Sequence, residues 1–314
     1  MDSFGKRRVD ARHCGMGVQT LVPGRNCTSG RKNYMEQLIS TQWLADHMAA
    51  DDLHIVDATY FLPEEGRDAG AEYAAAHIPG ARYMDLTGLV DPASPFPNTV
   101  PPAEIFASHV QSLGIGDGDR IVVYDNSPHR TATRGWWLFR LFGARDVAVL
   151  DGGLPKWTAE GRPTESGSPV VESRVFTARK DDARVRTTAQ MLAALDDRAT
   201  QIVDARSLSR FTGEEQEARP GLASGHIPGA LSLHYTRLFH PDGTWKRGEA
   251  LKAAFLDAGV DLDRPVVTTC GSGVTAASLF FGAVLLGKTD LSLYDGSWSE
   301  WGADPALPKA TGPA

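Results

Sequence analysis

Residues 119–126 read DRIVVYDN, and residues 263–270 read DRPVVTTC. Each opens on Asp-Arg, runs through an apolar, β-branched stretch of strand length, and ends at a residue, Asn126 or Cys270, that precedes a loop and a helical stretch. The continuation is shared as well: LFGARDVAVLDGG follows the first and LLGKTDLSLYDGS the second. Asp119 to Asp263, Asn126 to Cys270, Gly143 to Gly287 and Asp151 to Asp295 are all 144 residues apart, so this half of the repeat aligns without a gap. Upstream, HIVDATYFL (54–62) pairs with QIVDARSLS (201–209), and AAAHIPGAR (74–82) with ASGHIPGAL (223–231), after small length changes. A repeat of this length marks two homologous domains.

Within each repeat, apolar runs alternate with helical segments of about 10 to 15 residues, the pattern of a mainly parallel sheet flanked by helices. Residues 55–57, 121–124 and 147–150 read as buried strands in the first repeat, and 202–204, 265–269 and 291–294 in the second. The fold class is therefore α/β, with two tandem domains. The stretch GRPTESGSPVVESRVF (161–176) is rich in turn formers and lacks helical periodicity. The domains are expected at 35–160 and 187–305, joined by a linker over 161–186 and followed by a tail over 306–314.

Composition narrows the function classes. The chain has 314 residues, 42% hydrophobic and 23% charged, enough for two domains of ordinary size. A net charge of −7 argues against nucleic acid as a partner, and no apolar run is long enough for a membrane helix. Cys14, Cys27 and Cys270 are far apart, so neither a disulfide framework nor a cysteine zinc site is indicated, and a reducing, cytoplasmic setting fits. The nine histidines show no ligand spacing, and no metal is expected. Residues 1–34 carry seven Lys or Arg against Asp2 and Asp10 and no hydrophobic periodicity. They are expected to be a disordered extension or an upstream start ahead of Met35; an organelle-targeting peptide is a further reading.

The repeats differ most where chemistry belongs. Open α/β sheets bind ligands beyond the carboxyl ends of their strands, which is where Cys270 falls, at the head of the loop CGSGVT (270–275). Gly271 and Gly273 allow backbone amides to turn inward, and those amides plus the start of the next helix favour an anion at their centre. Cys270 is thus a candidate nucleophile. The matching loop in the first repeat, NSPHRTA (126–132), has neither thiol nor glycine, so only the second domain is expected to be catalytic. Cysteine phosphatases need an arginine six residues after the cysteine to clamp phosphate; Ala276 stands there and excludes that chemistry.

The doubled domain, the two HIPGA segments (77–81 and 226–230), the closing YDGSWSEW (294–301) and the CGSGVT loop resemble the tandem rhodanese family of sulfurtransferases, and the loop resembles that of its 3-mercaptopyruvate branch. The resemblance implies a cysteine that carries sulfur as a persulfide, an active second domain, a degenerate first domain and no cofactor. It adds Arg210 and Arg219 as the pair that holds the substrate, and His77 and Asp68 of the first domain as possible relay partners beside Ser272. Two bland readings stand beside these: the arginines neutralise Glu214, Glu215 and Glu217, and His77 fixes its own loop, as His226 would in the second repeat.

Charge separates the donors. Relatives that use thiosulfate carry cations directly after the cysteine, whereas Gly271 and Ser272 are neutral here. A neutral loop with a hydroxyl suits a 2-keto acid thiol whose carboxylate is held by an arginine fork. The expected site is Cys270 and Ser272, with Gly271, Gly273, Val274 and Thr275 forming the substrate loop. The expected reaction moves the sulfur of 3-mercaptopyruvate through Cys270 to a thiol such as thioredoxin, or to cyanide, releasing pyruvate. A thiosulfate:cyanide sulfurtransferase is the alternative.

Overall fold

The structure, a computed structural model, describes residues 34–313; the expectations for residues 1–34 fall outside it, Tyr34 apart. Two five-stranded parallel sheets share one topology. In the first, strands β1 (Leu38–Ile39), β2 (Leu53–Asp57), β3 (Arg82–Tyr83), β4 (Arg120–Tyr124) and β5 (Asp146–Leu150) lie in the order β1-β5-β4-β2-β3. In the second, β6 (Val185–Arg186), β7 (Gln201–Asp204), β8 (Leu231–Ser232), β9 (Val266–Thr269) and β10 (Leu291–Tyr294) lie in the order β6-β10-β9-β7-β8. The six strands expected from the apolar runs are the three central ones of each sheet. They read as unbroken apolar runs because helices cover both faces, so Ile121 to Tyr124 and Val266 to Thr269 are all buried.

The first sheet is covered by α1 (Thr41–His47), α2 (Ala69–Ala75), α3 (Ala103–Ser112), α4 (Ala132–Leu141) and α5 (Gly153–Ala159). The second is covered by α6 (Thr188–Asp197), α7 (Leu208–Thr212), α8 (Gly248–Leu256), α9 (Ala276–Leu285) and α10 (Ser297–Trp301). α4 and α9 begin 144 residues apart and are buried nearly all round, α4 with Arg134 among its buried residues. They pack against each other: the Trp136 and Phe281 rings meet edge-on with centroids 4.8 Å apart, and the Thr133 and Ser278 hydroxyls are 3.0 Å apart. Because each helix follows its repeat's loop, this contact brings residues 126–131 and 270–275 together at the seam between the domains.

Residues 161–184 run mostly along the first domain. Asp117 donates its amide to Val175 O at 2.9 Å, Phe176 packs edge-on against Phe106, and Arg174 pairs with buried Asp119 at 2.8 Å. The second sheet takes in Val185–Arg186 as an edge strand. Near the carboxyl terminus, Ala310 and His226 exchange backbone hydrogen bonds of 2.8 and 3.0 Å. Among the described residues, no helix is long and apolar enough to cross a membrane.

Candidate active site

Cys270 directly follows β9 and is 2% exposed. Its amide donates to Ser297 Oγ at 3.2 Å, and α10 holds the next two carbonyls: Trp298 N donates to Cys270 O, and Ser299 N to Gly271 O, both at 2.9 Å. Ser299 Oγ adds a second bond to Gly271 O at 2.6 Å. In a trans peptide the N–H points opposite the C=O, so pinning these carbonyls on α10 turns the amides of Gly271 and Ser272 away from it. Among the described residues, no acceptor is bonded to any amide from Gly271 to Thr275. Gly273 completes the turn at φ +79°, and a Cβ there would come within 2.9 Å of Asp295 O. The result is a row of free donors beside the thiol, at the start of α9, poised for negative charge.

Cys270, Gly271, Ser272, Val274 and Thr275 line a cavity of about 430 Å³, and Arg210 and Arg219 line it from the second domain. Arg210, placed by the short helix α7, lies over the loop: a Cβ on Gly271 would sit 3.1 Å from its Nη2. Glu217 holds it side-on, with Nη2 at 2.5 Å from Oε2 and Nε at 3.3 Å from Oε1. Of the five guanidinium N–H groups this occupies two and leaves the Nη1/Nη2 end as a fork. Arg219 Nη1 donates to Ser299 Oγ at 2.7 Å, so it is chained through Ser299 to Gly271. The bland reading of the arginines therefore holds in part: Arg210 does neutralise Glu217, but from within the cavity. His234 lines the same cavity, and burial, reinforced by the Arg210 charge, holds its imidazole below the ordinary histidine range.

The first domain also reaches this site. Leu62 and His129 line the cavity, and His129 is paired with Glu65 at 3.2 Å. Asn98 Nδ2 donates to Ser272 Oγ at 2.9 Å. Arg134, 3% exposed, donates from Nη1 to Gly273 O at 3.3 Å and from Nη2 to Asn98 O at 2.5 Å. Its Nη2 also lies 2.9 Å from Asp295 Oδ1, a charge contact without hydrogen-bond alignment, while Asp295 Oδ2 accepts from Val100 N at 2.6 Å. Sequence reading passed over Asn98, Arg134 and Asp295. Asp295 follows β10 at the same place in the repeat as Asp151 follows β5, a signal that was available; Asn98 sits in a turn-rich stretch that gave none.

His77 and Asp68 are not among the residues lining the cavity. His77 is fully buried, stacked on Tyr73, with Nδ1 2.7 Å from Tyr73 O and Nε2 3.3 Å from Glu165 Oε1. Asp68 caps α2 by accepting from Ala71 N. His226 mirrors His77, stacked on Phe211 with Nδ1 2.8 Å from Phe211 O. The loop-fixing reading fits both histidines.

The matching loop of the first repeat shows what the free amides mean. There Asp125, which follows β4 and matches Thr269 in the repeat, accepts through its carboxylate from Ser127 N at 3.0 Å and Ala132 N at 2.7 Å. Asn126 N donates to Thr59 Oγ1 and His129 N to Ser127 Oγ. The Ser127 and His129 amides, which match the open Gly271 and Gly273 amides, are filled from within, whereas Asn126 N, like Cys270 N, bonds a hydroxyl. Burial outweighs these hydrogen bonds and pushes the Asp125 carboxyl up to about 6.

Comparison with known proteins places this arrangement. The model of the Rhodanese-like domain matches residues 40–160 and again 187–304. The chain is 41% identical over 270 residues to the 3-mercaptopyruvate sulfurtransferase of Mus musculus, covering 84% of this chain and 91% of that one. It is 40% identical over 271 residues to a thiosulfate sulfurtransferase of Cricetulus griseus, covering 84% and 91%. The crystal structure of SseA, a 3-mercaptopyruvate sulfotransferase from Escherichia coli, superposes with a TM-score of 0.78 at 36% identity, over 85% of this chain and all of the other. The two matched segments, each holding four of the five strands of one sheet, make the chain a member of the rhodanese-like family with the domain in tandem.

Proposed function

We propose that this chain is a 3-mercaptopyruvate sulfurtransferase with Cys270 as the sulfur carrier. The observation that carries the reading is the uncharged loop from Gly271 to Thr275, its amides free, under an arginine fork that Glu217 holds in place. A relative named for thiosulfate is as similar as one named for mercaptopyruvate, so overall identity does not choose the donor; the loop does. A dianion is best met by cations beside the thiol, whereas a substrate with one carboxylate needs one fork and hydrogen-bond donors for its carbonyl.

In this mechanism Arg210, with Arg219 beside it, binds the carboxylate of 3-mercaptopyruvate. The Cys270 thiolate attacks the substrate sulfur; an S–S bond forms as the C–S bond breaks, and the bonding pair leaves with the carbon as pyruvate enolate. Ser272 and the free amides supply hydrogen bonds to the developing charge. The proton of the former thiol ends on the enolate carbon, giving pyruvate and the Cys270 persulfide anion. An acceptor thiolate such as that of thioredoxin, or cyanide, then attacks the outer sulfur and releases the Cys270 thiolate. The reaction needs a reduced thiol, which a cytoplasmic setting supplies.

A two-donor assay with and without thioredoxin tests this. The expected result is a higher kcat/KM with 3-mercaptopyruvate than with thiosulfate and turnover supported by thioredoxin. A higher kcat/KM with thiosulfate would hand the assignment to the alternative, a thiosulfate:cyanide sulfurtransferase.

A further inference from the structure

The first domain carries Asn126 where the second carries Cys270, yet one of its loops touches the catalytic hydroxyl proposed above. We infer that Asn98 is a positioning residue for the sulfur transfer: by donating to Ser272 Oγ, it leaves the Ser272 proton free and directs it toward the bound donor. This rests on the proposed function.

A serine hydroxyl has one hydrogen to give and lone pairs to receive, and it rotates to suit its partners. Ser272 is 7% exposed, and among the described residues Asn98 is the side chain bonded to its oxygen. With the lone pair facing Asn98 occupied, the O–H cannot point that way. The remaining open side is the cavity that Ser272 lines with Cys270. A hydroxyl free to rotate would spend part of its time aimed elsewhere, and a group aligned before the reaction has no reorganisation to undergo during it.

The local structure is built to hold Asn98 there. Its φ is +59°, a conformation costly for residues with a side chain and tolerated best by asparagine and aspartate among them. The strain is held by contacts that cross the domain seam. Arg134 grips Asn98 O and Gly273 O together, and Val100 N is anchored on Asp295. One arginine thus holds the backbone at Asn98 and at Gly273, the residue after Ser272. Backbone strain over-determined by its surroundings is a mark of a position kept for function.

The test uses the full chain with Asn98→Ala, Asn98→Gly and Asn98→Asp, alone and in a Ser272→Ala background. Glycine and aspartate tolerate the left-handed backbone, so they carry the test if alanine impairs folding, which thermal unfolding reports. Asn98→Ala and Asn98→Gly are expected to lower kcat with 3-mercaptopyruvate by roughly tenfold to a hundredfold, with KM changed by less than about twofold. Ionised aspartate only accepts, so it should capture the Ser272 proton and lose at least as much; as pH falls toward about 4 its carboxyl becomes a donor, and activity relative to wild type should recover. In the Ser272→Ala background the Asn98 changes should have no further effect on kcat. Wild-type kcat in Asn98→Gly, a flat pH ratio for Asn98→Asp, or additive losses in the double variants would each overturn the positioning role. Mass measurement of wild type after donor treatment separates this failure from the deeper one: without one added sulfur on Cys270, the sulfurtransferase mechanism itself falls.

Discussion

Arg210 and Glu217 form a side-on ion pair in which the carboxylate, 3% exposed, also receives Arg206 at 2.7 Å. The pair fixes the plane of the Arg210 guanidinium without consuming its outer edge. Arg210→Lys keeps the charge but offers a single ammonium that cannot serve Glu217 and a substrate carboxylate together. KM for 3-mercaptopyruvate should rise by about tenfold, the equivalent of about 1.4 kcal/mol, with kcat much less affected. Steady-state kinetics with the keto acid decide; an unchanged KM removes the fork from the binding model.

Cys270→Ser should abolish turnover with either donor. A hydroxyl of the same shape preserves the amide bond to Ser297 and the packing at the end of β9, so thermal unfolding should move little. Residual activity above background would assign the nucleophile elsewhere.

Gly271→Arg reverses the charge logic of the loop. The new side chain starts 3.1 Å from Arg210 Nη2, so it pushes that guanidinium aside and adds a cation directly after the thiol. The kcat/KM for 3-mercaptopyruvate should fall by more than about tenfold while that for thiosulfate rises, seen as a crossing of the two in a competition assay. Equal losses with both donors would show that the loop does not set donor choice.

Asp125 gives a pH signature in stability. Burial raises its carboxyl from 3.8 to about 6, so below about 3.8 the folded and unfolded chains are both protonated there and the group contributes no slope. Between about 3.8 and 6 the unfolded chain releases this proton and the folded chain keeps it, so stability falls as pH rises; above about 6 the cost is complete. Asp125→Asn should remove that component. The melting temperature of the variant relative to wild type should climb between pH 4 and pH 6.5 and then level off; a difference that is constant with pH contradicts the burial effect.

Both sheets were legible because their central strands are buried on two faces and leave unbroken β-branched runs, and because the 144-residue offset lets one repeat check the other. The edge strands β1, β3, β6 and β8 are two residues each, too short to show any period, so they appear only once their neighbours are in place. Cys270 was legible because its chemistry is concentrated in one hexapeptide. Asn98 was not, because its function comes from a partner 174 residues away and from a domain packing that no local pattern encodes. The resemblance that nominated His77 and Asp68 reads residue types; the structure adds that the His77 ring is committed to Tyr73 and Glu165.

The Asp125 carboxylate bears on whether the two halves can exchange roles. A thiol placed at position 126 would face Ser127 and His129 amides already bonded to Asp125 and Ser127, without the open donors that stand beside Cys270. Giving the first loop the open form of the second takes at least two changes, the thiol and the removal of the internal acceptors. The two halves are therefore not interchangeable by one substitution: the second keeps its loop donors open, while the first closes its own and reaches across the seam with Asn98 and Arg134.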